Sequence, residues 1–333
     1  MANLFVVIVN FRTGALVVDC LQSLVAEIGS IGSGKVIVVD NCSGDDSVAR
    51  IATAIRDHDW SSWAEVLTMP RNGGFAYGNN AGIRRVREHD ARFGAVILLN
   101  PDTTVVRGAF AELGEFLRTR PDAGIAGASI EDEAGQVQIS YHRDPSSAGE
   151  FERGAQLGMI ARWRARGQQP VPVDGDRPLR CDWVSGACMA IRREVLDSTG
   201  GLDEGYFLYF EEVDFCVRAR LNGWTCWSVP RARVTHLEGA SSGIKSVRRL
   251  PDYWYASRRR FFVKRWGLWG LVRADALFTI GRASLVIRRT LGLGGDAAKE
   301  HEPQRLALDL VAGDVRAMVD GSLRNIGRHG QPR

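Results

Sequence analysis

The sequence predicts an α/β protein: a mostly parallel central sheet with helices on both faces, followed by a C-terminal helical extension. Three observations carry this. Short, continuously apolar runs alternate with segments of helical periodicity over the first 130 residues. Apolar runs without in-and-out alternation suit strands buried on both sides, as parallel strands are. Beyond residue 252 the pattern turns helical, basic and aromatic.

Residues 4–9 are unbroken apolar residues and form the first expected strand. Leu16, Cys20, Leu21, Leu24, Val25 and Ile28 recur at helical spacing and predict a helix over 15–28. A second strand, 36–39, runs into a polar turn where Asp45, Asp46 or Ser47 can cap a helix over 47–56. Strand 65–69, helix 76–87, strand 95–99, helix 110–118 and strand 125–130 complete the alternation. Residues 143–180 are rich in Pro, Gly, Ser and Arg and read as a long excursion or flap. Order returns with strand 182–191, helix 193–198, and a helix over 211–221 ended by Asn222 and Gly223. Two short strands, 224–229 and 231–236, follow. The C-terminal part holds helical pattern from Asp252 onward and a last helix over 306–319.

With 333 residues, 45% of them hydrophobic and 25% charged, the chain has the composition of an ordinary globular protein with a sizeable core. The net charge of +4 is uneven. Lys245 to Arg289 holds 12 Lys and Arg against Asp252 and Asp275, a local +10 that leaves −6 elsewhere. The N-terminus carries no export signal, and the six cysteines include no C-x-x-C pair. The expectation is a cytoplasmic protein with reduced thiols and no zinc site. Apolar run 266–280 is interrupted by Arg273 and Asp275 and is not a membrane span. The basic, aromatic helices make the inner face of the plasma membrane a candidate peripheral location, and exposed aromatics there would suit a homodimer. No nucleic-acid recognition motif is present.

The densest chemistry lies at Tyr209-Phe210-Glu211-Glu212-Val213-Asp214. Acidic residues at a helix start are ordinarily explained by the helix dipole. Three carboxylates in four positions, framed by aromatics, exceed that need. Crowding and partial desolvation there would make one of them a general base or half of a metal site. Asn100-Pro101-Asp102 ends an apolar strand, where Asp102 suits a hard divalent ion. Asp40 sits at another strand end, and ligands of parallel sheets bind beyond such ends. Residues 70–82, with Asn72, Gly73 and Gly74, let backbone approach a ligand at a helix start. His236 precedes a loop beginning at Glu238 and Gly239, a place for a phosphate or metal contact. Gly29 to Lys35 spells most of a phosphate-binding loop, but Val36 replaces the metal-binding hydroxyl and a strand follows, so it is a plain loop.

Taken in order, the motifs resemble the family 2 glycosyltransferases, in their bacterial rhamnosyltransferase-like branch. The likeness runs through Val6 to Phe11, Val38 to Asn41, Asn72 to Phe75, Leu99 to Asp102, Trp183 to Met189, Gly201 to Glu204, Tyr209 to Asp214 and His236. It covers about the first four-fifths of the chain. The resemblance implies a GT-A fold over residues 1–240, with a nucleotide-binding half at 1–102 and an acceptor-binding half at 103–240. Residues 241–333 form a basic helical extension. It implies inverting transfer from a nucleoside-diphosphate sugar (dTDP-rhamnose, a UDP-sugar or a GDP-sugar) to a glycan or lipid-linked acceptor in cell-surface polysaccharide synthesis. Asn10, Asp40, Asn72, Gly73, Asn100, Trp183 and Gly186 fall at nucleotide-sugar positions. Asp102 and His236 fall where Mg²⁺ or Mn²⁺ is held. Glu212 matches the base position, with Glu211 and Asp214 beside it, and the base is open between Glu211 and Glu212. Asn100 stands where other branches carry the first Asp of D-x-D, which leaves the metal less charge. A sugar-phosphate nucleotidyltransferase is the enzymatic rival, and the lack of a basic Gly-rich triphosphate loop argues against it. A non-catalytic nucleotide- or glycan-binding protein is the other rival, and the retained carboxylates argue against that.

Overall fold

A computed structural model describes residues 3–156, 177–237, 249–291 and 305–326. The expectations for Glu238 and Gly239, for most of the 143–180 excursion, for Lys245 and Arg248, and for the tail past 326 lie outside these residues. The described chain forms two compact units. The first holds 3–144, 177–207 and 211–237. The second holds 145–156, 208–210, 249–291 and 305–326.

The elements run β1 (Leu4–Asn10), α1 (Gly14–Leu24), α2 (Ile28–Ile31), β2 (Val36–Asp40), α3 (Ser47–Asp57), β3 (Ala64–Thr68), α4 (Phe75–His89), β4 (Ala95–Leu99), β5 (Thr103–Val105), α5 (Ala109–Thr119), β6 (Ala123–Glu131), β7 (Val137–Gln138), β8 (Tyr141–His142), α6 (Ser147–Ala155), β9 (Leu179–Cys181), β10 (Trp183–Val184), β11 (Cys188–Arg192), α7 (Arg193–Thr199), α8 (Glu211–Leu221), β12 (Thr225–His236), α9 (Asp252–Thr290) and α10 (Leu306–Val319). A ten-stranded sheet takes the order β3-β2-β1-β4-β11-β6-β12-β5, with β7 beside β6 and β9 beside β12. β1 to β4 are mutually parallel, β11 is antiparallel to both its neighbours, and β6 and β12 run parallel to each other. Six of the ten strands therefore point one way, the mostly parallel sheet that the apolar runs predict.

Both faces of the sheet are covered, and β1 shows how. Leu4, Val6 and Ile8 join the core that includes Val17 and Leu21 of α1, Ile51 of α3 and Phe110 of α5. Phe5, Val7 and Val9 join the core under Ile83 of α4, Val195 of α7 and Phe215 of α8. A strand's side chains alternate, so a strand between two cores must be apolar throughout. α4 lies close on β1 because Gly78 and Gly82 face it. A Cβ at these positions would sit 2.7 and 2.4 Å from the methyls of Val9 and Val7.

Three elements depart from the expected pattern. Strand 182–191 is two strands, β10 and β11, because Ser185, Gly186 and Ala187 turn the chain between them. The two strands expected at 224–236 are one, β12, with its register shifted between Val229 and Arg233. Pro230 lies in that gap. Lacking an N–H, it bulges the ladder rather than ending the strand. The excursion contains α6, whose Ser146 side chain caps the Gly149 amide at 3.1 Å. Residues 14–31 are apolar enough for a membrane span, with a mean hydropathy of 1.5. Val17, Cys20, Leu21, Leu24 and Ile31 are nevertheless buried in the core beside β1.

In the second unit α6 packs on α9, and α10 packs on α9 in turn. The buried Arg258 guanidinium joins all three helices. It donates to Glu150 at 2.8 and 3.0 Å, to Asp275 at 2.9 Å and to Asp314 at 3.3 Å. A buried cation surrounded by carboxylates meets the rule that interior charge must be paired.

Candidate active site

The site is built at the carboxyl ends of the parallel strands. Register places Asn10 opposite Asp40. The Asp40 carboxylate accepts from Asn10 Nδ2 at 2.7 Å, from the Ser43 hydroxyl at 2.6 Å and from the Ser43 N–H at 3.1 Å. Asn10 Oδ1 accepts from the Thr13 N–H and hydroxyl at 3.1 and 2.8 Å. The loops after β1 and β2 are thus tied together, and each is bent through a left-handed residue, Arg12 at φ 59 and Cys42 at φ 61. Such residues cost on the order of 1 kcal/mol each and tend to mark functional backbone.

Asn41 extends this edge. Its Nδ2 donates to Asn72 Oδ1 at 3.0 Å and to Gly74 O at 2.9 Å, which fixes the orientation of the amide. Its Oδ1 is buried and has no hydrogen-bond partner among the described residues. Asn72 Oδ1 also accepts the Gly74 N–H at 3.0 Å, so Asn72 shapes the turn into α4. A Cβ at Gly73 would lie 2.4 Å from the Tyr77 ring. Gly74, at φ 88, leaves no room either: a Cβ there would lie 2.1 Å from Phe207 O.

The Asn100, Pro101 and Asp102 turn caps β4. Antiparallel pairing of β5 with β12 sets Thr103 opposite His236. This three-residue strand, absent from the sequence reading, brings the two expected metal residues together. His236 Nε2 stands 3.1 Å from Asp102 Oδ1 and 3.3 Å from Asn100 Nδ2. The Asp102 side chain is wholly buried, and the Oγ1 of Thr103 is a buried oxygen with no hydrogen-bond partner among the described residues.

Segment 185–187 links this turn to the acidic box. Asn100 N–H donates to Ala187 O at 2.9 Å. A Cβ at the adjacent Gly186 would stand 3.6 Å from the Phe75 ring and 3.9 Å from Glu212 Cβ. The turn ending at Asp102 and the first turn of α8 are therefore joined through a few residues of one segment.

The three carboxylates of the box have separate surroundings. Asp214 is ion-paired with Arg218 Nε at 2.7 Å and accepts from the Tyr206 hydroxyl at 3.4 Å, while Arg218 reaches Thr199 O and Gly201 O, both at 2.9 Å. Asp214 thus anchors α8. Glu211 is buried. Glu212 is only partly covered as a residue, yet its Oε2 is fully enclosed and has no hydrogen-bond partner among the described residues. Burial pushes its carboxyl up from 4.5 to about 7, against the opposing pull of its own amide and that of Val213. Desolvation, rather than crowding of like charge, is the main cause. The chain enters α8 through two successive left-handed residues, Tyr209 at φ 70 and Phe210 at φ 69.

Trp183 lies in β10, which packs on α8. Its ring stacks on His142 at 4.1 Å, and its indole N–H donates to Arg143 O at 2.8 Å.

Several contributors are missing from the sequence reading. Asn41 carried only a strand-end position as its signal. Asn80 clamps the loop after α7, exchanging hydrogen bonds with Leu202 at 2.8 and 2.9 Å and donating to Glu204 at 2.9 Å. A contact across 122 residues has no local signature.

Asp102 and the amide of Asn100 offer the oxygen donors that Mg²⁺ and Mn²⁺ prefer, with the His236 imidazole beside them. Among the described residues no three His, Cys, Asp or Glu side chains converge on a metal position. A cation held at Asp102 and His236 would need the rest of its shell from phosphate oxygens and water.

A parallel α/β half with its polar groups gathered at the strand ends, continued by a mixed half bearing an acidic helix, is the GT-A fold of the glycosyltransferases. The family described as "Glycosyltransferase like family 2" matches residues 2–256, and the chain belongs to it. Among its relatives is the N-acetylglucosaminyl-diphospho-decaprenol L-rhamnosyltransferase of Mycobacterium tuberculosis, 31% identical over 202 residues, covering 59% of this chain and 62% of that protein. Rhamnosyltransferase WbbL of Escherichia coli is 24% identical over 166 residues, 49% of this chain and 60% of WbbL. The chain thus spans under two thirds of each relative. The mannosyltransferase PcManGT of Pyrobaculum calidifontis, solved with GDP-Man and Mn²⁺, shares the fold at a TM-score of 0.54 and 14% identity, over 98% of this chain and 88% of that one.

Proposed function

We propose that this protein transfers a sugar, with inversion, from a nucleoside-diphosphate sugar to a hydroxyl of a glycan or lipid-linked acceptor in cell-surface polysaccharide synthesis at the cytoplasmic side. The rhamnosyltransferase relatives make L-rhamnose from dTDP-rhamnose the first donor to test. One observation carries the reading: an enclosed carboxylate oxygen on Glu212, without a hydrogen-bond partner among the described residues, with its pKa raised to about 7 by burial. It lies one segment away from a strand-end Asp and His pair. A carboxylate titrating near neutrality can take the acceptor proton as the hydroxyl attacks.

The other residues take roles that their geometry supports. The orphan Oδ1 of Asn41 accepts an N–H or O–H of the nucleoside, and Asp40, held by Asn10 and Ser43, offers its remaining lone pair nearby. Asn72, Gly73 and Gly74 shape the α4 turn beside them. Asp102 and His236 would hold the divalent cation, with Asn100 adjacent. When bound, that cation offsets the charge developing on the leaving diphosphate. Asp214, paired with Arg218, positions the helix that carries Glu212, and the buried Glu211 lies beside it. Gly186 brings its segment against Glu212, and Trp183 stands beside the same helix.

The test is transfer and donor hydrolysis with purified protein and dTDP-rhamnose, UDP-sugars and GDP-sugars, with and without EDTA. Product anomers are read by NMR. Inverted product that disappears with EDTA is the expected result. Release of pyrophosphate from a nucleoside triphosphate, or binding without turnover, would replace this reading.

A further inference from the structure

We propose that the outer face of α9, beyond its kink, lies on an anionic membrane surface. This stands on the second unit alone and does not require sugar transfer. At Gly267 the backbone passes through φ 68, and the helix that resumes there runs on to Thr290. Its inner face is closed. Leu271, Ala274, Phe278 and Leu285 are buried, and α6 approaches so closely that a Cβ on Gly281 would stand 2.4 Å from Phe151 O.

The outer face is apolar as well. Trp269, Val272, Ile280 and Ile287 recur at helical spacing and are 83, 36, 56 and 58% exposed. Exposed Ala276 and Ala283 continue the stripe between them. A helix apolar on opposite faces is ordinarily buried, and soluble monomers seldom leave such a stripe in water.

The charge around the stripe selects the partner. Arg265 and Arg273 flank it, and Arg289 stands at its end. Arg265 lies over the Trp266 ring at 5.8 Å. Arg273 donates to the Ser147 hydroxyl at 3.0 Å, and Arg289 to Gln156 Oε1 at 3.1 Å. These partners are neutral, so the positive charge is not cancelled by them. Beyond the kink the helix carries Arg273, Arg282, Arg288 and Arg289 against one acid, Asp275, which is turned inward onto Arg258. A second copy docked about a two-fold axis would set this rim against itself. Anionic headgroups supply the opposite charge, and the acyl boundary below them takes Trp and Ile.

The experiment is flotation of the full chain with vesicles of phosphatidylcholine alone, or with phosphatidylglycerol added. The comparison is a variant carrying Trp269→Ser, Ile280→Ser and Ile287→Ser. All three side chains are exposed, so thermal melting should match the wild type. Wild type should float with the phosphatidylglycerol vesicles. Recovery should fall about tenfold without phosphatidylglycerol, and by a similar factor in the variant. A second variant, Arg265→Glu with Arg273→Glu, should lose the preference for anionic lipid if the triple variant fails to fold. Three results would each overturn the proposal: wild type left behind by both vesicles, charge-reversed protein floating like wild type, or a lipid-free dimer that the triple variant dissolves.

Discussion

At the scale of the residue, Glu212 matters most because burial of its carboxyl pushes it up to about 7. Glu212→Gln keeps the volume and removes the base. Sugar transfer should fall by about a thousandfold while donor binding, read by calorimetry, stays unchanged. For the wild type, turnover should rise tenfold per pH unit up to about pH 7 and then level, since the base must be ionised. The stability sign is opposite. A carboxyl whose folded pKa lies above its ordinary value contributes fully at pH below that ordinary value, and its contribution is lost as pH rises through about 7. Glu212→Gln should therefore stabilise the protein at pH 8, on the order of 2 kcal/mol, and much less at pH 5. Urea melts of both proteins at the two pH values decide this. A variant that is both more stable and inactive is the mark of strain kept for function.

At the scale of the element, α4 and its entry turn hold the strand-end edge at Asn41 in shape. Gly74→Ala forces a side chain at φ 88 against Phe207 O, and the Phe75 N–H already bonds that oxygen at 2.7 Å. A loss of about 3 kcal/mol is expected in chemical denaturation, since neither the backbone angle nor the space can accommodate it. Asn80→Ala removes the clamp on the loop after α7 and should cost about 2 kcal/mol, with faster amide exchange at Leu202. Elements of strong pattern were legible: the spans of α8, β4 and α10 coincide with those read from the sequence. Those set by distant partners were not. β5 has three residues and exists because β12 pairs with it. The turn at Ser185 to Ala187 interrupts an apolar run whose periodicity gives no hint of a break.

At the scale of the molecule, the second unit is held by interior charge as well as by apolar contact. Arg258→Ala would take the cation from Asp275 and leave Glu150 and Asp314 only Arg153 and Arg259, and a cost of about 3–5 kcal/mol is expected in thermal or urea unfolding of that unit. Burial pushes the Asp275 carboxyl up to about 7, only partly countered by Arg258. By the same sign argument its stabilising share is complete in acid and fades as pH rises through about 7. Melting temperature followed from pH 6 to 8.5 should decline more in the wild type than in Asp275→Asn. Equal slopes would place the raised group elsewhere.

The sequence by itself determined the layered α/β class, the apolar strands and the family resemblance, because periodicity and motif order are local properties of the chain. It also marked Asp40, Asp102 and Glu212, since carboxylates at strand and helix ends are conspicuous. The tertiary structure alone decided that burial raises the Glu212 carboxyl, that Asp214 is ion-paired with Arg218, and that His236 meets Asp102 through a three-residue strand. Desolvation and pairing depend on what packs around a group, and those neighbours come from segments up to 136 residues away along the chain.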